Sequence, residues 1–268
     1  MRSLLWTEFV FNRSTVQQLA KKYDRSVHWI RKELRSYELS PVEVIPRELV
    51  AVMDCVFFGR SIGYLVVRDP HRKHNVYWSK IASETLDEYR VARDTLESLG
   101  FAINAAVTDG KPGLKRLYND VPVQMCQFHQ KAIITRYLTM RPRLEAGIEL
   151  KKLTHGLCIA DEETFSRELV DWHTRWREFL SERTTNRETG KWSYTHKRLR
   201  AAYRSLRTNL RYLFTYQRYP ELGIPNTTNG LEGSFAHLKE LVLIHRGTKP
   251  DLKEKIIRTI LQNRPTNL

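Results

Sequence analysis

The chain has 268 residues, 41% hydrophobic and 10% aromatic, which suffices for one sizeable core with one or two smaller units and excludes a disordered chain. Forty-five Lys and Arg against 30 Asp and Glu leave a formal charge of +15, so a polyanionic partner is expected, nucleic acid ahead of a membrane surface. No apolar run approaches the roughly 20 residues of a membrane span, the charged start MRSLLWTEFVFNRS lacks a signal peptide's apolar stretch, and Cys55, Cys126 and Cys158 are too few and scattered for a disulfide framework; a reducing, cytoplasmic setting follows.

Residues 14–35 read as two short helices joined by a tight turn. Ser14 and Gln17 fit a capping box, Val16, Leu19 and Ala20 form an apolar stripe, and Ser26 caps the second helix. Val27, Ile30 and Leu34 then face inward, leaving Arg25, His28, Trp29, Arg31, Lys32 and Arg35 outside, as in a recognition helix for the major groove. The spacing of Ala20, Asp24 and Ile30 is similar to helix-turn-helix units, with Asp in place of the usual turn glycine, a residue that tolerates the left-handed region. The alternative is a helical hairpin that only packs on the main domain. Segment 36–48, with two prolines and no helical period, reads as a linker.

From residue 49 the texture changes to short apolar runs. LVAVMDCVFF, SIGYLVVRD and NVYWSKIA imply an antiparallel three-stranded meander. A helix over 85–99 follows, with Leu86, Tyr89, Val91, Ala92, Leu96 and Leu99 near helical spacing and Gly100 closing it. FAINAAVTDG reads as a buried strand, 113–118 as a short helix, VPVQMCQF as a strand and 129–138 as a helix. This order, βββαβαβα, is that of the ribonuclease H fold, a mixed α/β sheet whose fourth strand lies beside its first. Such adjacency brings Asp54 and Asp109 together across 54 intervening residues.

Residues 140–222 read as all helical, from Phe165, Leu169, Trp172, Trp176 and Phe179 and then Leu199, Tyr203, Leu206, Leu210 and Leu213 at helical spacing. Trp172, Trp176 and Trp192 read as core. Within 187–219 nine Lys or Arg face Glu188 alone, and Arg200, Arg204, Arg207 and Arg211 share one helical face suited to a phosphate backbone. Thr227 to Asn229 cap a last helix, with Glu232 in its first turn, where the dipole favours an anion. Leu231, Phe235, Leu238 and Val242 form its buried stripe, and Lys239 lies two turns beyond Glu232, within reach of a DNA phosphate.

Two carboxylates at neighbouring strand ends repel unless a cation lies between them, and Mg²⁺ prefers carboxylate oxygen, water and phosphate. Asp54, Asp109 and Glu232, delivered from separate elements, are therefore expected to hold a pair of divalent ions for phosphodiester chemistry. Cys126 and His129 are half of a zinc site by spacing alone, but Cys55 and Cys158 do not complete it. The other role for the pair is a packed cysteine with a hydrogen-bonded histidine.

The segments MDCVFFGR, VTDGKPGL, CQFH and PNTTNGLEGSFAHLK together resemble the DDE insertion-sequence transposases, in particular the Mutator-related bacterial group with a helical insertion before the catalytic glutamate. The resemblance spans nearly the whole chain. It implies a helix-turn-helix region and linker at 1–45, a ribonuclease H-like domain begun at 46–139 and completed at 223–268, and a basic helical insertion at 140–222. By similarity Asp54, Asp109 and Glu232 are catalytic and hold Mg²⁺, which Mn²⁺ can replace, while Cys126 and His129 lie beside the site, where His129 contacts DNA or a metal-bound water. The implied partners are terminal inverted repeats and target DNA in the bacterial nucleoid, with a homodimer acting on two ends. Members of the group often carry a cysteine-rich zinc ribbon before a segment like LWTEFVFNRSTVQQLA, and its absence here leaves a short member or a truncated copy. Rival readings are a degenerate DNA-binding regulator and a nuclease that cleaves without joining.

Overall fold

A computed structural model describes residues 1–40, 45–59 and 62–262. Five strands form one mixed sheet: β1 (Glu48–Phe57), β2 (Gly63–Asp69), β3 (His74–Ile81), β4 (Ala102–Thr108) and β5 (Val123–Met125), in the order β3-β2-β1-β4-β5. The first three make the expected antiparallel meander, and β4 pairs with β1 and β5 in parallel. This α/β architecture is compatible with a ribonuclease H-like fold.

Both sheet faces are covered, which explains why β1 is buried along most of its length. On one face Leu49, Ala51, Met53, Leu65 and Val67 pack on Tyr89, Ala92 and Leu96 of α4 (Leu86–Ser98). Thr85 caps that helix through Glu88 N–H, and Gly100 follows at φ +89. Of the apolar residues assigned to its stripe, Val91 and Leu99 are instead exposed, because the buried side is the narrower arc through Tyr89, Ala92 and Leu96.

On the other face Val50, Val52, Val56, Ala105 and Val107 share a core with α11 (Asn229–Ile244), α12 (Pro250–Leu261) and the N-terminal helices. Those helices are α1 (Arg2–Val10), α2 (Val16–Lys22) and α3 (Val27–Ser36). Helix α1, which no sequence pattern announces, buries Leu5, Trp6, Phe9 and Val10, and Trp6 Nε1 donates to Thr259 Oγ1 at 3.1 Å. Lys255 Nζ donates to the carbonyls of Arg35 and Tyr37, both at 2.6 Å, so α3 and α12 are joined beyond the apolar contact. Of the expected linker, residues 41–44 lie outside the described residues.

Two details of the N-terminal helices differ from the sequence reading. The capping box is Thr15 with Gln18, one residue later than Ser14 with Gln17; both pairs fit the pattern, and Thr15 is the one whose hydroxyl meets the third amide of α2. Trp29 is half-buried against the shared core, flanked by the Arg25 guanidinium 5.7 Å from its ring, because its position beside Ile30 turns it toward the seam. The turn itself agrees: Asp24 adopts φ +49, and Ser26 accepts from Trp29 N–H.

Residues 140–222 form a third core around α7 (Glu145–Gly156), α8 (Glu162–Ser181) and α9 (Lys197–Leu213), with α6 (Gln127–Leu138) alongside. This part is not all helical: β6 (Arg183–Thr185) and β7 (Trp192–Tyr194) pair as a hairpin between α8 and α9. Asn186 organises the turn by accepting from Glu188 and Thr189 N–H, and Gly190 supplies φ +67, signals masked in the sequence by the surrounding charge. Trp192 is correspondingly exposed at 52%, not core, with Arg183 stacked 4.0 Å from its ring.

The lobe is fastened to the sheet edge by buried amides. Gln124 and Gln127 Nε2 both donate to the Leu213 carbonyl at 2.9 Å, Thr215 Oγ1 donates to the Val123 carbonyl at 2.7 Å, and Tyr216 N–H donates to Gln124 Oε1 at 3.0 Å. Each of these buried polar groups has a partner, as a low-dielectric interface requires.

The left-handed turn gives a stability test. Asp24→Val, which introduces a β-branched side chain at φ +49, is expected to destabilise the chain by about 1–2 kcal/mol in urea denaturation, while Asp24→Gly is neutral or slightly stabilising.

Candidate active site

The site begins with strand register. Val52 on β1 lies opposite Val107 on β4, and two residues further along each chain stand Asp54 and Asp109. Side chains alternate between faces, so both aspartates share the face that Val52 and Val107 present to α11. Asp54 Oδ1 accepts from Cys55 N–H at 2.8 Å; Asp109 Oδ1 accepts from Lys111 N–H at 2.9 Å, which folds the chain sharply after β4. Gly110 makes that fold possible: its φ is +90, and a Cβ there would come within 2.4 Å of Met125 Cε.

Glu232 approaches from the helix covering that face. The chain entering α11 is stitched to the first turn of α6, since Gln127 N–H donates to the Asn226 carbonyl at 2.9 Å and Asn226 Nδ2 returns a bond to Gln127 Oε1 at 3.0 Å. Thr228 is the N-cap, as its cap-forming neighbours predicted, but its hydroxyl does not cap the helix amides. It lies 3.4 Å from Cys126 Sγ and 3.1 Å from Glu232 Oε1, while its N–H donates to Cys126 Sγ at 3.3 Å. Cys126 is itself the N-cap of α6 and His129 stands in that helix's first turn, so two helix N-termini converge on one place.

The charges converge as well. Burial pushes the Asp54 carboxyl up to about 6; the Cys55 N–H and the His129 charge oppose the rise, and Asp109 and Glu232 add to it. His129 is pushed up to about 9, first by the Cys126 sulfur beside the ring, against burial, and then by Asp54 and Asp109. Burial raises the Cys126 thiol, but donors from His129 and Thr228 outweigh it and the group sits below its ordinary value. His129 Nδ1 is buried without a well-directed hydrogen bond and lies 3.9 Å from Glu232 Oε1.

Of the three predicted acids, Asp109 and Glu232 both bear on the Asp54 carboxyl. The tightest constellation, however, is Cys126, His129 and Glu232, whose ligand atoms all lie within 4.8 Å of one another. Sequence spacing gave two members of that set; the third comes from a residue 103 positions after His129, a convergence no local pattern encodes. Cys55 does not join it, lying 3.6 Å from the Tyr89 hydroxyl. Thr228 and Asn226 were missed as positioning residues because their signal, a run of small polar residues before a helix, also fits simple capping, and Gln127, at the start of α6, carries no local signal.

The expected nucleic-acid contacts divide. His28, Arg31 and Lys32 are exposed on α3, and Lys239 is exposed on α11. Arg204, Arg207 and Arg211 are exposed along α9. Arg200 is engaged instead: it donates to the Leu180 carbonyl at 2.6 Å and stacks 3.5 Å from the Tyr194 ring, pinning the hairpin.

Among the described residues no helix is long and apolar enough to cross a membrane. The sequence matches no protein-family model and no curated protein.

The raised Asp54 carboxyl makes a stability statement. The folded chain holds this proton up to about pH 6, whereas an unfolded aspartate releases it near 3.9; stability therefore falls as pH rises through that window, and the full penalty remains above it. Without divalent ions, Asp54→Asn is expected to be more stable than the parent at pH 7.5, by about 1–3 kcal/mol, and indistinguishable at pH 3.5. A thermal melt in which the variant is the weaker at pH 7.5 contradicts the assignment.

Proposed function

We propose that the chain is a polynucleotidyl transferase of the DDE transposase type, which cleaves the ends of a DNA element and joins them to a target. The observation carrying this reading is the placement of Asp54 on β1 and Asp109 just past the end of β4, each two residues beyond the paired Val52 and Val107, with Glu232 in the first turn of the helix over the same face. In this reading the sheet is a ribonuclease H-like domain, residues 140–222 are its insertion, and α2 with α3 is a helix-turn-helix.

The acids fit a hard divalent cation. A buried carboxyl whose charge is opposed by two further carboxylates is a place where bound Mg²⁺ or Mn²⁺ relieves repulsion. Asp54, Asp109 and Glu232 would hold it, and such ions would supply activation of an attacking oxygen and stabilisation of a leaving one. The protein's own part is positional. The Cys55 and Lys111 amides fix the two aspartates, and Thr228 fixes Glu232 through its hydroxyl.

The cationic surface supplies the rest. Arg204, Arg207 and Arg211 track a phosphate backbone, Lys239 meets a phosphate two turns from Glu232, and His28, Arg31 and Lys32 face the major groove. Two element ends call for two such sites, hence a homodimer on DNA.

Incubating the purified chain with an end-containing duplex tests the reading. Strand cleavage and joining are expected with Mg²⁺ or Mn²⁺ and not with chelator, and Asp54→Ala, Asp109→Ala and Glu232→Ala are each expected to fall below about one-hundredth of the parent rate. Metal-independent activity, or full activity in these variants, defeats the proposal; cleavage without joining makes the protein a nuclease, and binding without either makes it a regulator.

DNA affinity tests the arginine face separately. Replacing Arg204, Arg207 and Arg211 with alanine is expected to flatten the dependence of log K on log salt by about 0.9 for each phosphate that is no longer neutralised. An unchanged slope places the DNA elsewhere.

A further inference from the structure

Cys126 Sγ, a ring nitrogen of His129 and a carboxylate oxygen of Glu232 lie within 4.8 Å of one another, and two of the three, the sulfur and the imidazole, are the wrong donors for magnesium. Sulfur and imidazole suit a borderline-soft ion such as Zn²⁺, which takes three protein ligands and leaves a fourth position open. The donors are held in place. Cys126 and His129 open one helix and Glu232 opens another, and Thr228 binds the sulfur and the carboxylate together.

The geometry is close to what ligation needs. With bonds of about 2.0–2.3 Å, a tetrahedral zinc site separates its donors by about 3.3–3.8 Å. His129 Nδ1 and Glu232 Oε1 stand 3.9 Å apart and all three donors lie within 4.8 Å, so rotamer adjustments of about half to one ångström close them onto one ion. Ligation would also give buried Nδ1, which lacks a well-directed hydrogen bond, something to bind.

We propose that Cys126, His129 and Glu232 form a binding site for a single zinc-class ion, distinct from the oxygen-donor site of Asp54, Asp109 and Glu232. Glu232 belongs to both sets, so zinc withdraws it from the carboxylate site and lowers that site's affinity for Mg²⁺ or Mn²⁺. The zinc site stands on its own geometry; only the competition rests on the function proposed above.

Cobalt(II) is the probe, because a cysteine–cobalt bond gives a near-ultraviolet charge-transfer band and tetrahedral geometry gives visible bands. Titration of the full chain is expected to saturate at one equivalent and to be reversed by zinc. Cys126→Ser should abolish the charge-transfer band, and His129→Gln should weaken cobalt binding at least tenfold. Cys55→Ser, Cys158→Ser and Asp54→Asn should leave the band in place. Circular dichroism checks that each variant folds, and His129→Gln keeps the test open should the buried serine variant not fold. No band, or a band that survives Cys126→Ser or disappears in Cys158→Ser, overturns the site.

Manganese binding followed by electron paramagnetic resonance then reads the competition without any DNA reaction. One equivalent of zinc is expected to weaken it about tenfold, and unchanged manganese affinity overturns the shared role of Glu232. Absence of manganese binding in the zinc-free chain counts against the carboxylate site and leaves the cobalt result intact, so the two proposals fail separately.

Discussion

The parallel pairing of β1 with β4 is the constraint on which the site depends. In a sheet covered on both faces a slip of one residue would turn Val50 and Val52 out of one core and Leu49, Ala51 and Met53 out of the other. Burial of two apolar sets therefore fixes a polar coincidence: Asp54 and Asp109 are brought abreast because the valines two residues before them must be. The acids gain nothing from this arrangement themselves. Asp54 is held where ionisation is opposed, and the surrounding hydrophobic packing bears that cost.

The third acid arrives by a different route. The lobe of residues 140–222 leaves the sheet after α6 and returns along β5, where side-chain amides of Gln124 and Gln127 meet the end of α9. Hydrogen bonds are directional in a way that apolar contact is not, so this seam fixes orientation as well as proximity. From there the Asn226–Gln127 exchange and the Thr228–Cys126 contact carry the chain into α11, with the Glu232 carboxylate set against Thr228 and His129 and near enough to bear on the charge of Asp54. A large lobe can thus lie between two acids without loosening their mutual placement.

Much of this was legible in the residues. Apolar runs separated by Gly59 and DPHRKHN gave the meander, and the stripe Leu231, Phe235, Leu238 and Val242 gave α11 with its acid in the first turn. What escaped has physical reasons. The β6–β7 hairpin has strands of three residues, too short for period-two alternation to register. Helix α1 lacks a polar face, so its helical period was hidden, and its burial depends on α12 some 250 residues away. Arg200 looked like its neighbours along α9, but its engagement depends on Tyr194 across the hairpin, a tertiary fact. The Cys126–His129–Glu232 set is likewise a product of two helix starts meeting.

The burial of Trp6, Phe9, Ile30 and Leu34 in the core that also holds Leu231 and Phe235 bears on modularity. A front unit on a free tether could be exchanged for another without disturbing the rest of the chain. Here a graft would have to reproduce the Trp6 contact with Thr259 and the lysine clasp at Lys255, or leave part of the domain's interior open to solvent. Altering the outward side chains of α3 therefore leaves this interior intact, whereas wholesale replacement of the three helices is a redesign of the core.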